Sequence, residues 1–288
     1  MPGFEHEGRR IAYTIHGDGS RTCVLIHGLL FSQRLHERLA AELARRGERV
    51  VTVDLLGHGA SDRPRELQAY SMSACARQIV GLLDHLGVEK AVVGGMSLGA
   101  NATLEVAALA PERLQGMIIE MPLLEKALVG CALAFTPVMV AMTVGEPAMR
   151  VVQAVARRVP RLPWLPDQLV GLVRQDPGPS GAVIQGLFFG RIAPPREERR
   201  TFTAPTLIIG HRADPVHPFS DSGRLHEELQ DSRLLEANSI LELRLRPERL
   251  TGEIAAFLDE CWAVAPRAAG APRRPETREG ASSYPVGR

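Results

Sequence analysis

Through the first 121 residues, compact apolar runs bounded by glycine take turns with longer stretches of helical spacing. "FEHEGRRIAYTIHGDG" reads as two short strands about a turn at Gly8. "TCVLIHG", "RVVTVDLLGHG", "KAVVGGM" and "LQGMIIEM" are apolar runs of strand length. Between them lie "RLHERLAAELARRG", "SMSACARQIVGLLDHLG" and "SLGANATLEVAALA", helical in spacing and ended by Gly47, Gly87 and Pro111. Apolar strands alternating with helices predict an α/β fold: a mostly parallel sheet covered by helices on both faces.

The alternation stops at Pro122 and resumes with "APTLIIG", a helix near Ser222–Leu229, the short strand "SRLLEA" and a final helix "RPERLTGEIAAFLDECW". Residues 1–121 and 204–265 are thus expected to form one core, and 122–203 a helical insertion. An insertion between parallel strands normally sits over their carboxyl ends, as a cap on the ligand site. Within it, the uncharged run "ALVGCALAFTPVMVAMTV", Ala127–Val144, just reaches the length of a membrane span. Its mid-chain place and its Gly130 and Pro137 argue instead for a buried or pocket-lining helical pair broken at Pro137. Residues 266–288 are rich in Pro, Ala, Gly and Arg and are expected to be disordered.

Composition narrows the function classes. A net charge of +1 gives no electrostatic reason to expect nucleic acid. Cys23, Cys75, Cys131 and Cys261 lack the spacing of a zinc site or a disulfide framework and read as small buried thiols in a reducing, cytoplasmic setting. No metal-binding motif, dinucleotide fingerprint or P-loop appears, so no cofactor is expected.

The candidate chemistry centres on "GGMSLG", where Ser97 stands between a strand and a helix with Gly95 and Gly99 two residues to either side. That is the context a G-x-S-x-G nucleophile elbow requires. The glycines leave room for a strained turn, and the helix starting at Leu98 aims free N–H groups at a developing oxyanion.

With this motif the chain resembles the α/β-hydrolase superfamily, in its esterase-like branch with a helical cap. "VLIHGLL", "VDLLGHGASDRP", "GGMSLGA" and "APTLIIGHRADPVHP" carry the resemblance, in that order, over roughly residues 4–265. It implies an oxyanion hole from the Leu29 and Leu98 N–H groups and a triad acid at Asp214. Glu120 is a second candidate acid, because some family members draw the acid from that strand. Asp54 and Asp62 read as residues bracing a loop.

The base is the gap. In the family it follows the last strand as a Gly-His pair; here that place falls on Ser239–Ile240, and there is no histidine after His226. Serine is a poor nucleophile at neutral pH without an adjacent base. The substitute with the best claim is His217, on the loop of Asp214, although it also fits a histidine packed between two turns. His27 beside the elbow reads as structural, and His58 and His211 as loop histidines. His36, His85 and His226 are expected on helices, exposed or partly buried.

Two functions therefore stay open. The first is a serine hydrolase acting on an ester, thioester or lactone of a small hydrophobic substrate through an acyl-enzyme. The second is a weakened hydrolase fold that binds a hydrophobic small molecule as a receptor or carrier. Leu133, Phe135, Met139, Met142, Trp164, Phe188 and Phe189 make the insertion apolar, mostly as its own core, and point to a hydrophobic ligand in both cases.

Overall fold

The computed structural model describes residues 1–160, 162 and 164–263, with no side-chain detail at Trp164 and Leu165. The expected disordered tail lies outside the described residues. Eight strands form one sheet: β1 (Gly3–His6), β2 (Arg9–His16), β3 (Thr22–Ile26), β4 (Arg49–Asp54), β5 (Ala91–Met96), β6 (Leu114–Glu120), β7 (Thr206–Gly210) and β8 (Ser232–Glu236). Their order is β1-β2-β4-β3-β5-β6-β7-β8. β2 runs antiparallel to β1 and β4, and every pair from β4 to β8 is parallel.

The helices are α1 (Glu37–Arg45), α2 (Met72–His85), α3 (Leu98–Leu109), α4 (Ala127–Thr143), α5 (Glu146–Ala156), α6 (Trp164–Arg174), α7 (Pro177–Phe188), α8 (Arg196–Arg199), α9 (Phe219–Glu228), α10 (Glu242–Leu245) and α11 (Glu248–Ala263). Side chains on successive strand residues point to opposite faces, so each apolar run feeds two cores. Val24, Ile26, Val51, Val93, Met117 and Ile208 pack with α2 and α3. Cys23, Leu25, Val50, Val92, Ile118 and Leu207 pack with α1 and α11. The sheet is covered on both faces, as the apolar strands predict.

Helices α4–α8 occupy the chain between β6 and β7. Their roots are held by polar side chains of the sheet-covering helices. The Asn101 amide of α3 donates to the carbonyls of Leu123 (2.7 Å) and Ile192 (2.8 Å) and accepts from the Leu123 N–H. Asp221 of α9, fully buried, accepts from the N–H groups of Leu124, Lys126 and Ala127 and so caps α4 from another part of the chain.

Two expectations about this region are corrected. α4 runs unbroken through Pro137, and the break comes at Gly145, where α4 and α5 meet at 93°. Pro137 lies on the exposed side of α4, so water can satisfy the carbonyl that its ring frees. α4 is also not a buried helix: only Ala127, Cys131 and Met142 are buried in it. Leu133 and Phe189, expected mostly as core, are exposed. Among the described residues no single helix is long and apolar enough to cross a membrane.

Candidate active site

The strand-to-helix turn after β5 is strained as its glycines predict. Ser97 has φ 55° and ψ −108°, a conformation that L residues rarely adopt. A Cβ on either Gly95 or Gly99 would run into the Ile26 carbonyl oxygen, so both positions must be bare for β3, β5 and α3 to meet here. The Ser97 N–H donates to the Glu120 carbonyl at 2.9 Å, and the Ser97 carbonyl accepts from Asn101 N–H at 3.0 Å. Ser97 is 7% exposed.

The loop after β7 supplies the neighbours of the hydroxyl. Asp214 folds the loop back on itself: Oδ1 accepts from the N–H groups of Val216 (2.8 Å) and His217 (2.9 Å). This short turn returns the His217 ring to the same carboxylate, with Nδ1 2.9 Å from Asp214 Oδ2. The other ring nitrogen, Nε2, lies 2.9 Å from Ser97 Oγ. An imidazole protonated at Nδ1 meets both contacts, donating to Asp214 and accepting from the serine hydroxyl. Burial pushes the Asp214 carboxyl pKa up, but the His217 ring and the two N–H donors outweigh it and hold the carboxyl below its ordinary value.

The N–H of Leu29 has no hydrogen-bond partner among the described residues. Leu98 is the first residue of α3, where an N–H has no intrahelical acceptor. The loop of Leu29 is pressed against the elbow: a Cβ on Gly28 would sit 2.7 Å from Met96 Cε. Over these groups the insertion lays apolar side chains. Phe135, Met139 and Met142 pack with Leu29 and Leu30, and Phe135 also joins the cluster that includes Val216, the neighbour of His217.

The other candidates are engaged elsewhere. His27 is fully buried, its Nδ1 bonded to the Gly28 carbonyl and its Nε2 accepting from the Leu55 N–H, so it ties the loops after β3 and β4 together. The His58 ring lies tilted beside it and bonds the Leu56 carbonyl. Burial lowers the pKa of both rings, as a structural neutral imidazole requires. His36 corrects the expectation of an exposed or partly buried helix residue: it is 2% exposed and bonds the Ile26 carbonyl. Asp54 accepts from Gln33 and Ala60 and Asp62 from the Arg10 N–H, bracing loops as expected.

Glu120 is not available to His217. Both its oxygens accept from Arg244, at 2.9 and 2.8 Å, in a buried bidentate pair. Arg244 belongs to α10, just after β8, and also lies 3.2 Å from the sulfur of Met96. The place where the family resemblance expects the base, Ser239–Ile240, is exposed. This segment thus sends a guanidinium to the elbow, and nothing in the local sequence distinguishes Arg244 from the surface arginines near it.

A cleft of about 560 Å³ opens between the loops after β3 and β4 and helix α6, with Arg34, Arg63, Arg157, Asp167 and Arg174 in its wall. Leu30 borders it, but neither Ser97 nor His217 does. Leu30 joins it to the cluster of Phe135, Met139 and Met142.

Fold and elbow together define a member of a known family. A sequence model of the alpha/beta hydrolase fold matches residues 22–178, more than half of the chain, which belongs to that family. Among curated proteins, the dihydrolipoyllysine-residue acetyltransferase component of the acetoin cleaving system of Pseudomonas putida is 36% identical over 112 residues, 36% of this chain and 28% of its own length. Epoxide hydrolase B of Mycobacterium tuberculosis is 34% identical over 108 residues, 37% of this chain and 30% of its own length. The matches thus span about a third of these relatives. Among solved structures, the enol-lactonase from Burkholderia xenovorans LB400 superposes with a TM-score of 0.72 at 21% identity, covering 90% of this chain and 100% of its own. That likeness is one of fold.

Proposed function

We propose that the protein is a serine hydrolase cleaving an ester, thioester or lactone of a small hydrophobic substrate through an acyl-enzyme. The observation that carries this reading is the hydrogen-bonded chain Ser97 Oγ to His217 Nε2 and His217 Nδ1 to Asp214 Oδ2, each 2.9 Å. In this reading Ser97 attacks the substrate carbonyl while Nε2 takes its proton. Asp214 holds the ring in the tautomer that accepts that proton and stabilises the imidazolium that forms. The tetrahedral oxyanion is met by the N–H groups of Leu29 and Leu98. The imidazolium then protonates the leaving group. Water, activated by the same nitrogen, cleaves the acyl-enzyme.

Residues 122–203 act as the cap of this reading, with Phe135, Met139 and Met142 as the apolar wall that selects a hydrophobic acyl or alcohol part. The enol-lactonase and epoxide hydrolase likenesses are in keeping with a small-molecule hydrolase. Four unpaired, buried cysteines are in keeping with a cytoplasmic setting. The rival carrier reading rested on a missing base, and the approach of His217 to Ser97 Oγ speaks against it.

The test is a fluorophosphonate probe followed by peptide mapping. Label on Ser97, lost in His217→Ala, is the expected result. Label on another serine with Ser97 untouched ends the assignment.

A further inference from the structure

From Ala127 to Gly145 the chain carries no charge, and Lys126 and Glu146 bound this stretch. In a helix packed on all sides that would be ordinary. Here it is not, because the outer side of α4 is bare: Val129 is 70% exposed, Leu133 74% and Val144 82%. Together with Val140 these residues recur at helical spacing along one stripe. α5 continues the pattern with Val151 at 65% and Val155 at 58% exposed. Both helices pack on α7, which is itself largely buried, and each turns its valine stripe to solvent. Exposed apolar stripes of this kind mark an interaction site rather than random surface.

The charges around the face choose the partner. Along 126–160 the basic residues are Lys126, Arg150, Arg157 and Arg158, and the acid is Glu146. Glu146 is already held by Arg65 at 3.1 Å and Arg150 at 2.7 Å. Lys126 and Arg158 are exposed with no acidic partner among the described residues, whereas Arg157 turns toward α6 and donates to the Arg174 carbonyl. An apolar stripe edged with unpaired bases complements an anionic lipid surface. A second copy of the chain would instead set like charges against one another. The 93° bend leaves α4 with 17 residues, about 26 Å at 1.5 Å per residue and short of the roughly 30 Å hydrocarbon core. The pair is built to lie in the interface rather than to cross it.

We propose that the outward face of α4 and α5 docks on an anionic bilayer surface. The inner side of α4 packs on the Leu29–Leu30 loop through Phe135, Met139 and Met142, so docking would set the roof of the Ser97 site at the lipid boundary. The docking itself does not depend on the reading of Ser97.

The test is co-sedimentation of the full chain with vesicles of phosphatidylglycerol and phosphatidylcholine, or of phosphatidylcholine alone. The expected result is partition onto the anionic vesicles, at least about tenfold weaker on the neutral ones and falling as salt is added. Val129→Glu/Val151→Glu should lower that partition at least about tenfold, with melting temperature and cleavage of a soluble short ester unchanged. Lys126→Gln/Arg158→Gln should lower it roughly thirtyfold, at about a factor of five per base. Absence of partition on every vesicle overturns the proposal. So does partition that survives Val129→Glu/Val151→Glu. A dimer in sedimentation equilibrium that the valine variant dissolves, with no vesicle binding, overturns it in favour of a second copy.

Discussion

The loops after β7 and β8 leave the carboxyl ends of adjacent parallel strands, yet they bring different chemistry to one elbow. The first brings an imidazole to Ser97 Oγ and the carboxylate that holds it. The second brings Arg244, locked on Glu120 beside Met96. On the proposed reading, the contrast teaches that the place of a base in chain order is weakly constrained. What the site demands is a ring nitrogen about 3 Å from the hydroxyl and an acceptor behind the ring. A turn of four residues, Asp214 to His217, meets both demands locally, and the space near the elbow reached by the β8 loop is filled by an ion pair.

The sharpest way to break this comparison is to remove the imidazole. On the proposed reading, His217→Ala lowers kcat on a short p-nitrophenyl ester by roughly a hundredfold to ten-thousandfold, about 2.7–5.5 kcal/mol of barrier. KM changes less, since the ring is needed in the transition state. Unchanged kcat in steady-state assays would mean that the β7 loop does not supply the base.

Removing the guanidinium should do something else. Arg244→Met strands a buried carboxylate, and the expected cost is about 3–5 kcal/mol of folding stability, read from urea unfolding. The kcat of the folded fraction should keep within a few-fold of the parent. A hundredfold loss of kcat in protein of normal stability would put Arg244 in the chemistry and erase the distinction between the loops.

A smaller effect should follow Asn101→Ala. It removes the amide that ties Leu123 and Ile192 to α3, with an expected loss of about 1–3 kcal/mol for the partners left unpaired. Limited proteolysis should then cut first within residues 122–203.

The last effect is a pH dependence, felt only under acid conditions. Burial, helped by the charge of Arg244, pushes the His36 pKa down to about 3 from 6.5. Above pH 6.5 the ring is neutral in both folded and unfolded chains and contributes no slope. As pH falls from 6.5 toward 3 the unfolded chain takes up a proton that the folded one refuses, so stability declines. His36→Gln should flatten the unfolding free energy over that window relative to the parent. An unchanged slope would show that the other buried histidines or the carboxylates dominate.

Much of this was legible in the residues. The apolar runs located the central strands β3, β4, β5, β6 and β7, because a strand buried on both faces must be apolar nearly throughout, and the turn at Gly8 located β1 and β2 at the edge. Gly95, Ser97 and Gly99 announced the elbow, because only bare positions admit the Ile26 carbonyl. Asp214 and His217 were legible as candidates because they share a loop, and two prolines there favour turns.

Tertiary structure alone decided the rest. Whether the His217 ring faces its own loop or Ser97 depends on where the loop after β7 leaves the sheet, and the Asp214 turn then aims it. That Glu120 is taken by Arg244 is a contact across 124 positions, which no local pattern encodes. The exposure of α4 was equally hidden: apolar spacing states which residues avoid water in an ordinary core, and α7 buries one side of that helix while nothing among the described residues covers the other. Periodicity and turn chemistry act over a few residues and can be read in order along the chain. Which distant side chain fills a vacant place is settled only when the elements pack.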